Sequence, residues 1–160
     1  MLLKKSLMVF GVLSFLLMAQ NPVRDITLYK AVFEEKISWK NYGQQVRKMV
    51  PVKRVNKEAT LVYVNQIINK SHKAKKQVIV NNPIPYGLAY IRGTSSCEGI
   101  CEMLYSIDDG RTFKKSEELF VVYGAKRRAA MGSEYTHIKF IFSEIPPMSK
   151  IRMAFKAVVK

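Results

Sequence analysis

The sequence predicts an all-β sandwich behind a short leader. Three observations carry the prediction. After residue 25, apolar and polar residues alternate in run after run, the period of a half-buried strand. Turn-forming residues punctuate those runs at short intervals. No run has the apolar spacing of an amphipathic crossover helix, so nothing is available to link parallel strands.

The leader comes first. MLLKKSLMVFGVLSFLLMAQNP opens with Lys4 and Lys5, and Ser6–Ala19 is an uncharged, mostly apolar run of 14 residues. A membrane span needs roughly 20 residues, whereas this length suits the apolar stretch of a signal peptide. Small Ala19 precedes the expected cut between Ala19 and Gln20, and Leu17 makes the site an imperfect one. No Cys follows, so a lipoprotein anchor is not indicated; the rival reading is an uncleaved N-terminal anchor. Residues 1–19 are therefore read as signal peptide. Residues 20–160 are read as one domain with no transmembrane helix, located in the periplasm or outside the cell at its surface.

The strands follow in order. Ile26–Trp39 and Gln45–Lys53 flank Asn41-Tyr-Gly43 and form a long N-terminal hairpin. ATLVYVNQII, from Ala59, is β-branched and apolar on both faces, as a central strand requires. KQVIVNN is shorter and stops at Asn-Asn-Pro, and GLAYIRG restarts the chain at Gly87. Glu102–Ile107 and Leu119–Tyr123 are further strands. YTHIKFIF sets Thr136, Ile138, Phe140 and Phe142 against Tyr135, His137 and Lys139. IRMAFKAVV sets Ile151, Met153, Phe155, Ala157 and Val159 against Arg152 and Lys156. There is no internal repeat, and a propeller of at least four blades of roughly 40–45 residues each does not fit the chain.

Two short motifs stand out. CEGIC holds both cysteines, Cys97 and Cys101, and in an exported chain the pair is expected to form a disulfide across a tight loop. YSIDDGRTF resembles the Asp-box, Ser-x-Asp-x-Gly-x-Thr-aromatic, which is best known from the propeller blades of sialidases. Here Ser106, Asp108, Gly110, Thr112 and Phe113 fill the pattern. A turn accounts for each of them: Asp108 accepts backbone N–H bonds, Gly110 takes positive φ, Ser106 bonds across the loop, and Phe113 packs beneath.

A third motif carries a wider likeness. Asn81, Pro83, Pro85, Gly87 and Tyr90 lie between a strand ending in Asn and the next strand, and a final strand follows the Pro146-Pro147 turn. This resembles the bacterial conserved repeat domain, also called domain of unknown function 11, over about residues 26 to 160. Val55-Asn56-Lys57-Glu58 and Met148-Ser149 depart from that family's usual turns. The resemblance implies an immunoglobulin-like sandwich in a cell-envelope or surface protein. Physically, Pro83 and Pro85 end a strand and stiffen a crossover, while Gly87 restarts the chain.

Catalytic patterns are missing from the sequence. It contains no Gly-x-Ser-x-Gly, His-Glu-x-x-His or Walker loop. His72 and His137 stand far apart, and the acidic pairs Asp108/Asp109, Glu117/Glu118 and Glu34/Glu35 are chain neighbours rather than partners across a cleft. No enzyme, cofactor or metal is expected; a Ca²⁺ loop at the Asp-box is disfavoured by Arg111. The formal charge of +15, from 27 Lys+Arg against 12 Asp+Glu, points to anionic partners. Tyrosines interleave with the cations, but no nucleic-acid-binding pattern is present, so no specific nucleic acid is expected. The reading is an exported, non-catalytic cell-envelope protein, structural or adhesive, whose basic surface meets an envelope protein or anionic envelope polymer. The alternative is a carbohydrate-active enzyme or carbohydrate-binding module.

Overall fold

A computed structural model describes residues 25–160. The leader and the Ala19–Gln20 cleavage point lie outside the described residues. Eleven strands follow in order: β1 (Ile26–Trp39), β2 (Gln45–Pro51), β3 (Thr60–Asn69), β4 (Lys75–Pro83), β5 (Leu88–Tyr90), β6 (Ser96–Cys97), β7 (Glu102–Ser106), β8 (Phe120–Tyr123), β9 (Lys126–Ala129), β10 (His137–Ile145) and β11 (Lys150–Val159). The helical content of the described residues is three single 3₁₀ turns, at Asn41–Gly43, Ser116–Glu118 and Gly132–Glu134.

Two antiparallel sheets face each other. One runs β2-β1-β3-β11-β5, with β6 also against β11; the other runs β4-β10-β7. β8 and β9 form a separate two-stranded ribbon. The all-β sandwich and its long N-terminal hairpin are therefore present. β3 lies between β1 and β11, which explains its apolar character on both faces: Leu61 and Ile67 face inward, and Val62 is buried on the opposite side. β10 lies between β4 and β7, and its inward Ile138, Phe140, Phe142 and Ile145 are wholly buried. They meet Ile67 of β3 and Met153 and Phe155 of β11 in one core. Phe155 stacks on Tyr63 with ring centroids 4.8 Å apart. Tyr90, Tyr105 and Tyr135 form an aromatic cluster beside it, with centroids 5.2 to 5.7 Å apart.

The connectivity is nested. β3 pairs with β11, β4 with β10, and β8 with β9, so the chain wraps back along itself like a long folded hairpin. In one respect this differs from the immunoglobulin arrangement. There the last two strands share a sheet; here β10 and β11 lie in different sheets. The connection Pro146–Ser149 carries the chain across the sandwich rather than along one sheet.

Strand ends also shift. The segment expected to run to Lys53 stops at Pro51, and GLAYIRG contributes only Leu88–Tyr90 to the ladder. Lys126–Arg128, outside every expected strand, is the body of β9. Four buried polar side chains interrupt the apolar interior: Asn65, Asn69, Asn82 and Ser106. Asn65 donates to Asn82 across the two sheets.

Candidate functional site

Ser106 ends β7 and is fully buried. Its hydroxyl donates to Asp108 Oδ1 at 2.6 Å and accepts from the N–H groups of Asp108 and Gly110 at 3.2 and 2.9 Å. Asp108 also accepts from Thr112, at Oδ1 from the backbone N–H (2.9 Å) and at Oδ2 from the hydroxyl (2.6 Å). The Ser106 hydroxyl, then that of Thr112, hold the Asp108 carboxyl well below the usual carboxylate range. Asp109 and Gly110 both take positive φ, and a Cβ on Gly110 would touch the His137 ring at 3.4 Å. Phe113 meets His137 edge-on, with Lys139 Nζ 3.4 Å from its ring centre. Both oxygens of Asp108 are thus committed to the turn, and no proton is held there near neutral pH for general-acid work.

Beside the turn lies an open cleft of about 910 Å³, bounded on its far side by the β8–β9 ribbon. Lys114, Phe120, Arg127 and Glu134 line it, with Leu119 and Val121 on its apolar floor. The Arg127 guanidinium stacks 3.6 Å above the Phe120 ring. Glu134 is held by Arg128 through two parallel bonds of 2.7 and 2.6 Å and accepts from Met131 N–H at 2.8 Å. Those contacts, Arg128 first, lower its carboxyl to about 2. Of the three carboxylates that line the cleft, Asp108 and Glu134 are saturated and Glu118 accepts from Lys115 N–H, whereas Lys114 and Arg127 have no carboxylate partner among the described residues. Such a cleft is suited to holding an anionic group over an apolar floor.

The remaining predicted residues fall in two places. Cys97 and Cys101 are bonded to each other, with an S–S length of 2.01 Å and Cα atoms 6.5 Å apart, and no free cysteine remains. The Pro-x-Pro segment takes the chain from β4, an edge of one sheet, to β5, an edge of the other. Asn81 and Pro83 belong to the end of β4, Pro85 accepts from Leu88 N–H, and Gly87 has φ 85° and accepts from Lys160 N–H. Sequence separates this segment from the Asp-box, but β10 unites them: His137 pairs with Pro83 on one side and Ser106 on the other. The sequence did not show that Arg127 stacks on Phe120 or that Arg128 pairs with Glu134. Their only local signal was the spacing of Arg128 and Glu134 around a turn.

Among the described residues no cluster of three or more His, Cys, Asp or Glu is placed to hold a metal, and no helix is long and apolar enough to cross a membrane. Compared with family profiles, curated proteins and solved structures, the chain finds no match.

Proposed function

We propose that this chain is an exported, non-catalytic cell-envelope module, a relative of the conserved repeat domain family, that binds anionic partners through its basic surface. One observation carries the reading. Against a formal charge of +15, the described residues form only five ion pairs, which leaves most of the Lys and Arg side chains without a carboxylate partner. The partner is an envelope protein or an anionic envelope polymer, and the sandwich is the rigid body that presents the charge. The leader, read as a signal peptide, supports a site of action outside the cytoplasm.

The cleft favours a second reading, a carbohydrate-binding module for acidic sugars, because Lys114 and Arg127 flank an apolar floor there. One experiment addresses both. Retention on an immobilised acidic polysaccharide, and on its neutral counterpart, is measured as salt is raised from about 0.05 to 0.5 M, a range over which surface charges become screened. The basic-surface reading expects retention on the acidic matrix alone, lost with salt and little affected by Lys114→Ala with Arg127→Ala. The sugar-site reading expects that double variant to abolish it. Retention indifferent to salt overturns the first reading.

A further inference from the structure

The β1–β2 hairpin has the most uneven chemistry in the molecule. Ile26–Glu35 of β1 pair with β3, but Lys36–Trp39 have only β2 beside them. At about 3.3 Å per residue, the hairpin projects roughly 13 Å past its neighbour before the turn begins. Strand alternation and register put Ile37 and Trp39 on one face of this projection, in line with Met49 at its base, opposite Glu35. All three are more than half exposed, and Tyr42 at the tip is fully exposed, with positive φ. An apolar, aromatic face held away from the core does nothing for the sandwich itself.

Charge says what covers it. From Lys36 to Lys57 the chain carries seven Lys and Arg and no Asp or Glu. Lys36 and Lys48 stand directly opposite each other, an arrangement that destabilises a hairpin on its own. Glu34 and Glu35, which precede this run, are engaged by Lys36 at 3.6 Å and Lys156 at 2.6 Å. A soluble polyanion would satisfy the cations but not Ile37, Trp39 and Met49. A lipid surface satisfies both: Trp and Tyr settle at headgroup level, and long cationic side chains lie along the apolar layer with their charged ends in water.

We propose that the β1–β2 hairpin is a membrane-surface anchor, which seats Ile37, Trp39, Met49 and Tyr42 among the headgroups of an anionic lipid layer. The proposal rests on the basic-surface reading for its electrostatic part and adds an insertion step which that reading does not need. Trp39 is the only tryptophan in the chain, so its fluorescence reports on this hairpin alone.

The test mixes the purified protein with vesicles of phosphatidylcholine, with and without phosphatidylglycerol. The expected result is co-sedimentation with the anionic vesicles only, with a blue shift of Trp39 emission and protection from acrylamide. Ile37→Ser with Met49→Ser should weaken partition about tenfold while leaving the fold intact, since both side chains are exposed. Lys36→Glu with Lys48→Glu should remove the preference for anionic lipid. Co-sedimentation without a blue shift overturns the anchor and leaves the basic-surface reading standing. So does retention on a soluble polyanion with no vesicle binding. A blue shift on raising protein concentration without lipid overturns it in favour of a second copy as the occupant. Failure to bind either polyanion or vesicle sinks both readings.

Discussion

Asp108 and Glu134 are neighbours of the same cleft, and each is a carboxylate whose stabilisation depends on staying ionised. The folded pKa of Asp108 lies below its ordinary 3.8 because the hydroxyls of Ser106 and Thr112 donate to it. Its contribution is complete above about pH 4 and is lost as pH falls through the folded value. Glu134, lowered from 4.5 to about 2 by Arg128, loses its contribution across that interval. Asp108→Asn and Glu134→Gln carry no titrating carboxyl. Each variant is therefore expected to melt below the parent at neutral pH, and the gap should close in acid. Thermal melts over a pH series check this; a gap that stays constant in acid contradicts it. The Asp-box turn was legible at this scale because its bonds are local: Ser106, Asp108, Gly110 and Thr112 lie within one loop. The hold of Arg128 on Glu134 was less so, because the chain between them had to fold into a 3₁₀ turn first.

Among the elements, two turns at one end of the sandwich share a single side chain. Asn69, fully buried at the end of β3, donates to Lys73 O in the β3–β4 turn and to Pro146 O in the β10–β11 turn, both at 2.9 Å. Its own oxygen accepts from the Ser71 hydroxyl at 2.8 Å. Asn69→Ala would remove both ties and leave the two carbonyls to the Ser71 and Ser149 hydroxyls, at a cost of about 1–3 kcal/mol for the hydrogen bonds lost. Urea denaturation should show that loss, and a change under about 0.5 kcal/mol, the usual range for a surface substitution, would contradict it. Sequence alternation read β10 and β11 well, because Ile138, Phe140 and Phe142, and Met153, Phe155 and Ala157, each keep a strict period of two. It read β9 poorly, because Lys126, Arg127 and Arg128 carry no apolar face and their strand exists only through pairing with β8. The Cys97–Cys101 bond closes so short a loop that it constrains the unfolded chain little and acts chiefly on the local turn.

For the whole molecule, the excess of cations is a self-repulsion that folding concentrates. With a formal charge of +15 and five ion pairs among the described residues, sodium chloride should stabilise the folded state by screening. The expected rise in melting temperature is about 2–4 °C for each kcal/mol gained. A melting temperature that falls as salt is added from low ionic strength would mean that attractive pairs outweigh the repulsion.

The amino-acid order alone determined the β class, the burial faces of β10 and β11, the N-terminal hairpin, the paired cysteines and the charge. All of these are set by period, by local turn chemistry or by composition, which need no knowledge of what lies alongside. Only the tertiary structure decided that β10 and β11 part into different sheets, that His137 joins Pro83 to Ser106, and that the β1–β2 hairpin overruns β3. Strand partners are chosen by the packing of the whole core, and a period of two is equally compatible with many of them.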